Sequence, residues 1–241
     1  MKIIQYTAKT PEENIALDEL FLAKAEAGES GETIRFWESR EYFVVLGRAG
    51  RVNEENILEN CNRDNVKTIR RISGGGTVLQ GPGCLNWSTV ISYERDEEYR
   101  NIQYSYMHIL RSIEKAFTKK GHEVKFFPIS DLALLGKKIS GNAQARKKKY
   151  FLHHGTILYD LDLEKVSVYL KHPPKEPKYR EGRSHKDFLT NIPILREEAE
   201  DIIKEVFPPS PETLKLSPED QSSLEELIDQ KYLSDSWNYM F

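Results

Sequence analysis

The chain has 241 residues, with 35 Lys+Arg against 38 Asp+Glu, a formal net charge of −3, 39% apolar and 30% charged residues. That excludes a collagen-like, low-complexity or globally disordered chain, and the length suits one large domain, alone or with a small appendage, able to bury a sizeable core. The near-neutral balance argues against a general nucleic-acid or membrane-surface binder, and two cysteines, Cys61 and Cys84, cannot build a disulfide framework.

The opening residues MKIIQYTAKTPEEN carry no apolar h-region, so no signal peptide is expected. No apolar run approaches the roughly 18 residues of a membrane span. The expected setting is cytoplasmic, with reduced thiols.

Lys2 to Tyr6 reads as a strand. Thr10-Pro11-Glu12-Glu13 announces a helix, with Thr10 as N-cap, Pro11 at the first position and Glu13 closing a capping box. Ile15, Leu17, Leu20, Phe21 and Leu22 give that helix an apolar face, and it should fade near Gly28 to Gly31. Thr33 to Trp37 and Tyr42 to Leu46 are β-branched and aromatic, as strands are. Asn53 to Arg63 is expected as one helix, Lys67 to Ile72 as a strand, and Leu85 to Tyr93 as another. Asn101 to Lys120 is a long helix with Tyr104, Ile109, Ile113 and Phe117 near one side. Val124 to Phe127, Leu132 to Leu135, Lys138 to Ala143 and Phe151 to Leu158 complete the strands. Lys171 to Arg183 is Pro-rich and basic and must be a loop. Arg196 to Val206 and Pro218 to Lys231 are helices joined by a Pro-containing stretch. This order fits an α+β fold, a mixed β-sheet flanked by helices.

The segment RRISGGGTVLQGPGCLN (70–86) holds five of the 14 glycines. Gly74, Gly75 and Gly76 permit positive φ and close approach of a ligand to the backbone, whose N–H groups can cradle an anion. Arg71 offers planar, bidentate phosphate contacts. No GKS or GKT follows, so it is no P-loop, and the strand formers downstream make it a strand-to-strand loop. The residues leave open an anion or nucleotide site and a structural hairpin; the paired arginines favour the site. In GKKISGNAQAR (136–146), only one of Lys137 and Lys138 can face the ligand side of a sheet. Small Ser140, Gly141 and polar Asn142 leave room beside it, although spacing alone favours solvated lysines. Arg146 to Lys149 is expected as a solvated turn. Adjacent His153 and His154 point to opposite faces, and no histidine shows metal-ligand spacing, so no metal site is expected.

Together RRISGGGTVLQGPGCLN, SDLALLGKKISGNAQ and LHHGTILYDLD, with RSHKDFLTN and KYLSDSWNY, resemble the lipoate–protein ligase catalytic domain of the biotin/lipoate A/B protein ligase family. The resemblance runs over nearly the whole chain. It implies a single catalytic domain over 1–241, with a helical C-terminal portion from about 194, and a fold like that of biotin ligases and class II aminoacyl-tRNA synthetases. It implies that lipoate attacks the α-phosphate of ATP with Mg²⁺ assisting. Lipoyl-AMP then passes its acyl group to a lysine of a carrier, the H protein or an E2 lipoyl domain. Carried over by position, Lys138 contacts the lipoyl carbonyl and the phosphate and is the catalytic residue. Arg71 and the backbone of Gly76, Thr77, Val78 and Leu79 contact the nucleotide, beside Ser73, Gly74 and Gly75. His154, Gly155, Ser140 and Gly141 lie near the same site, with Asn86 and Asp131 in support. A fixed ammonium in a low-dielectric site stabilises charge moving onto oxygen. The apolar tail needs a slot, for which Val45, Val78 and Leu79 are candidates.

Two departures stand out. Many family members continue past W-N-[FY] into a small accessory domain, whereas this chain stops at Trp237-Asn238-Tyr239-Met240-Phe241. It is expected to work without that domain, borrow it from a separate polypeptide, or use preformed lipoyl-AMP. The loop at 171–183 also lacks the S-V-R-x-R form. The rivals are an octanoyl or lipoyl transferase acting without ATP, and a non-catalytic lipoyl-AMP or carrier-binding module. The transferase branch carries a cysteine upstream of its lysine motif, and Phe126 to Asp131 has none. Cys84 is expected as a small packed residue.

Overall fold

The computed structural model describes residues 1–6 and 8–241. The strands are β1 (Lys2–Ile4), β2 (Thr33–Trp37), β3 (Phe43–Leu46), β4 (Thr68–Arg70), β5 (Val78–Gln80), β6 (Cys84–Ser92), β7 (Val124–Phe127), β8 (Asp131–Leu134), β9 (Lys137–Arg146), β10 (Tyr150–Leu158) and β11 (Thr213–Leu214). The helices are α1 (Pro11–Glu26), α2 (Val52–Glu55), α3 (Leu58–Arg63), α4 (Ile102–Lys119), α5 (Leu163–Tyr169), α6 (His185–Phe188), α7 (Arg196–Val206), α8 (Pro218–Leu227) and α9 (Asp235–Asn238).

Eight strands form one sheet in the order β11-β1-β2-β6-β10-β9-β8-β7, and β4-β3-β5 form a second. β1 runs parallel to β2 and β11, while β6, β10 and β9 pair antiparallel. The architecture is therefore a mixed sheet flanked by helices, as the element order predicts.

Alternation along the strands decides which helix covers which face. Leu85, Trp87 and Ile91 of β6, with Phe151 and Ile157 of β10, pack against Ile109, Ile113 and Phe117 of α4 and Ala199, Ile202 and Ile203 of α7. Val90 and Leu152 point the other way, into a core with Ile15, Leu17, Leu20 and Phe21 of α1 and Leu224 of α8. The apolar stripe read on α4 is thus its buried face. Asn101 caps that helix, accepting from the N–H groups of Gln103 and Tyr104 at 2.9 and 3.1 Å.

Three expectations need correction. The segment 53–63 is not one helix. At Asn56 the backbone is extended (φ −106°, ψ 148°) and bridges to Leu170, while the buried amide donates to Thr68 Oγ1 at 3.0 Å. A tertiary strand contact outweighs local helix propensity there, and helices α2 and α3 result. The capping box of α1 is only half formed. Thr10 Oγ1 accepts from Glu13 N–H at 3.2 Å, but the Glu13 carboxylate accepts from the Lys9 N–H and the Tyr6 hydroxyl. The helix expected over 218–231 keeps α-geometry to Leu227 and widens into a π-turn over Ile228–Tyr232.

Candidate active site

A cavity of about 390 Å³ opens between the end of the large sheet, the small sheet and the 171–189 segment. Its wall contains Arg71, Gly75, Gly76, Thr77, Val78, Leu79, Asn86, Asp131, Lys138, Ser140, Gly141, His154 and Gly155, all singled out in the sequence. Ser73 and Gly74 lie outside the lining: Ser73 is buried behind the loop and Gly74 is exposed. Ile15, Trp37, Val45, Val78 and Leu79 supply an apolar wall.

Lys138 sits at the start of β9 with its side chain about a quarter exposed, while Lys137 faces solvent, so the alternation argument holds. Its ammonium lies 2.7 Å from Asp131 Oδ1 on the paired strand β8. Gly141 makes room for it: a Cβ there would lie 2.9 Å from Nζ. Asp131 Oδ2 accepts from the Tyr179 hydroxyl at 2.8 Å. Burial and that carboxylate push the Tyr179 phenol well above its usual range, so the phenol acts as a donor.

The glycine loop is held from inside by Arg71. Its guanidinium donates to Ser73 Oγ (2.9 Å), Val45 O (3.3 Å), Gly74 O (2.6 Å) and Gly76 O (2.9 Å). Burial pulls that guanidinium down to about 10. The arginine expected at the nucleotide therefore turns inward and shapes the glycine loop. Gly75 takes φ +87°, a region open to glycine at no steric cost, and a Cβ there would sit 3.0 Å from Arg71 Nη2. On the far side of the loop, Thr77 donates through Oγ1 and N–H to Glu55 Oε2 at 2.6 and 3.2 Å.

His154 links the loop to α1. Its Nδ1 lies 2.8 Å from Asp18 Oδ2 and its Nε2 2.6 Å from Ser73 Oγ. Asn86 is satisfied internally, donating to Gln80 Oε1 at 2.8 Å and Cys84 O at 3.2 Å. Arg70, beside Arg71, donates to the carbonyls of Gly47, Arg48, Gly50, Trp237 and Asn238. The chain's last turn is thereby fixed to the 47–50 turn.

Cys84 is wholly buried though it borders the cavity, and burial with Glu38 nearby pushes its thiol far above its usual range. Cys61 is buried in the small-sheet core, and burial raises its thiol too. Neither cysteine is a thiolate at neutral pH.

Sequence reasoning missed Asp18, Glu55 and Tyr179. Asp18 had a signal, a carboxylate inside the buried run Ile15 to Leu22. Glu55 lay in a stretch expected to be plain helix. Tyr179 lay in an aperiodic loop and gave none.

The lipoyl protein ligase A/B catalytic domain model matches residues 10–207. The probable lipoate–protein ligase A of Mycoplasma pneumoniae is 32% identical over 157 residues, 65% of this chain and 45% of that protein, so the match spans less than half of that relative's length. The octanoyltransferase LipM of Geobacillus kaustophilus is 29% identical over 95% of this chain and 94% of its own. A solved structure described as a bi-partite lipoate protein ligase and its E2 lipoyl domain from Thermoplasma acidophilum superposes with a TM-score of 0.82 at 22% identity, covering 98% of this chain and 94% of that one. Among the described residues no helix is long and apolar enough to cross a membrane.

Proposed function

This chain belongs to the lipoyl protein ligase A/B catalytic domain family, and within that family of ligases and transferases we propose that it is an ATP-dependent lipoate–protein ligase. The observation that carries the reading is Lys138: one ammonium, 2.7 Å from a buried carboxylate, on the wall of a cavity whose only bordering thiol among the described residues is buried and protonated. Acyl transfer through a thioester needs a thiolate. Acyl-adenylate chemistry needs a fixed cation where oxygen charge develops.

In the proposed sequence the lipoate carboxylate forms a bond to the α-phosphorus of ATP and the bond to pyrophosphate breaks. The carrier's lysine amine then attacks the acyl carbon, AMP leaves with the bridging oxygen, and the amine proton goes to solvent. Lys138 meets the carbonyl and phosphate oxygens in both steps. Asp131, held by Tyr179, keeps the ammonium aimed. The backbone of Gly76 to Leu79 faces the nucleotide, and the apolar wall of Trp37, Val45, Val78 and Leu79 takes the acyl tail. Much of the work is positioning.

Mg²⁺ would enter with the nucleotide. The described residues include no group of three His, Cys, Asp or Glu side chains built to hold a resident ion, and Asp131 and Glu55 are already committed to Lys138, Tyr179, Thr77 and the Arg51 N–H. Its chemistry there would be to neutralise phosphate charge.

A carrier such as an H protein or an E2 lipoyl domain is the proposed acceptor, with a separate accessory polypeptide as a candidate helper. The similarity to an octanoyltransferase across almost its whole length supports the second reading, transfer without ATP. Mass analysis of apo-carrier after incubation with protein, Mg²⁺, lipoate and ATP decides between them. Mass gain that requires ATP supports the ligase. Transfer from octanoyl-acyl carrier protein without ATP supports the transferase. No gain under either condition, even with a partner domain added, rejects both.

A further inference from the structure

We propose that Asp18 and His154 are positioning residues that set the shape of the glycine loop through Ser73 and Arg71. The inference deepens the functional reading, since it takes that loop to be the nucleotide site. Four side chains run in one line from helix to loop: Asp18 Oδ2 to His154 Nδ1 (2.8 Å), His154 Nε2 to Ser73 Oγ (2.6 Å), Ser73 Oγ to Arg71 Nε (2.9 Å). From Arg71 the line ends on the Gly74 and Gly76 carbonyls.

The two ends set the directions. A carboxylate only accepts, so His154 Nδ1–H donates to Asp18, and a guanidinium only donates, so Ser73 Oγ accepts from Arg71. In the neutral ring Nε2 then accepts the Ser73 proton. The assignment comes from the bonding pattern, and every donor in it has one acceptor. At the loop, a trans peptide points its N–H opposite to its C=O. The Gly74 carbonyl turned toward Arg71 therefore turns the Gly75 N–H away from it. Anion-binding amides need such an arrangement to exist before the ligand arrives.

The order carboxylate, imidazole, hydroxyl is that of a hydrolase triad. Here the hydroxyl is not a nucleophile. Ser73 is 1% exposed, lies outside the cavity lining, and its oxygen is already held by Arg71. The same parts that would activate a serine hold a loop instead.

Asp18→Ala is the sharpest test. It removes the acceptor of the Nδ1 proton, so neither the ring nor its tautomer is held facing Ser73. Amide hydrogen exchange of residues 73–79 is measured on the substrate-free protein, beside KM for ATP in lipoate-dependent pyrophosphate release. Loss of one buried charge-assisted bond predicts exchange of that segment about tenfold faster and KM for ATP up by a similar factor, with kcat within about threefold and exchange in α4 unchanged. Asp18→Asn, whose side-chain oxygen can still accept from Nδ1–H, should lose less.

Unchanged exchange and KM in a folded Asp18→Ala protein overturn the proposal. So does faster exchange spread equally over α4, which marks a general loss of stability. If Asp18→Ala does not fold, Ser73→Ala carries the same two readouts. If the parent releases no pyrophosphate, the ligase reading fails by itself, and the exchange measurement still decides the relay.

Discussion

His153 and His154 are neighbours on β10 and live in different worlds. His153 is fully buried on the α4 face, stacked on Trp87 at 5.2 Å, with Nδ1 3.0 Å from Gln144 Nε2 and no partner for Nε2 among the described residues. His154 faces the cavity and joins a carboxylate to a hydroxyl. Residue type does not separate a packing histidine from one that organises a site. The face of the strand, and what the fold brings to that face, does. The α4 face is held by burial, which scales with area; the cavity face is held by directed bonds that each fix one orientation.

That contrast predicts separable damage. Phe117→Ala, on the α4 face and wholly buried, should cost about 3–5 kcal/mol of unfolding free energy in urea titration, with KM values of the surviving folded protein unchanged. Lys138→Ala should do the opposite: a fall of roughly 10²–10³ in carrier lipoylation, with the urea midpoint nearly that of the parent. Full activity in that variant would remove Lys138 from the site.

His153 should also mark the pH dependence of stability. Burial pushes His153 down from 6.5 to about 3, so the unfolded chain binds a proton between those values that the folded protein refuses. Stability should therefore fall with acidification by about 1.4 kcal/mol per pH unit from this group within that window, and not above it. His153→Gln should flatten the acid limb of stability by that one proton; an unchanged slope would contradict the burial account. The smallest expected effect is Tyr179→Phe, which removes the donor to Asp131. One hydrogen bond to a carboxylate that Lys138 still holds corresponds to about a tenfold loss in kcat/KM, read in the adenylation step.

Much of this was legible in the sequence, for identifiable reasons. Strand alternation, the N-cap of α1 and the apolar side of α4 are local signals, and the elements there match within a few residues. The glycine loop and Lys138 carry a motif, so the cavity's two walls could be named in advance. What escaped depends on contacts distant in sequence. Asn56 breaks its helix because Leu170 and Thr68 come to it. β11 has two residues and exists only by pairing with β1. Tyr179 reaches Asp131 across 48 positions, and Asp18 reaches His154 across 136. Arg71 was visible, but not that its charge would turn inward to the loop carbonyls.

Arg70 draws the tail and the loop into one mechanical unit. Its five carbonyl partners include no anion, so the attachment is set by donor geometry, and a lysine with three donors on a single point could not reproduce it. Because the next residue is the one that grips the glycines, a tug on Trp237 or Asn238 arrives at the loop after a single peptide bond. The 235–238 turn thus holds a short lever on the cavity.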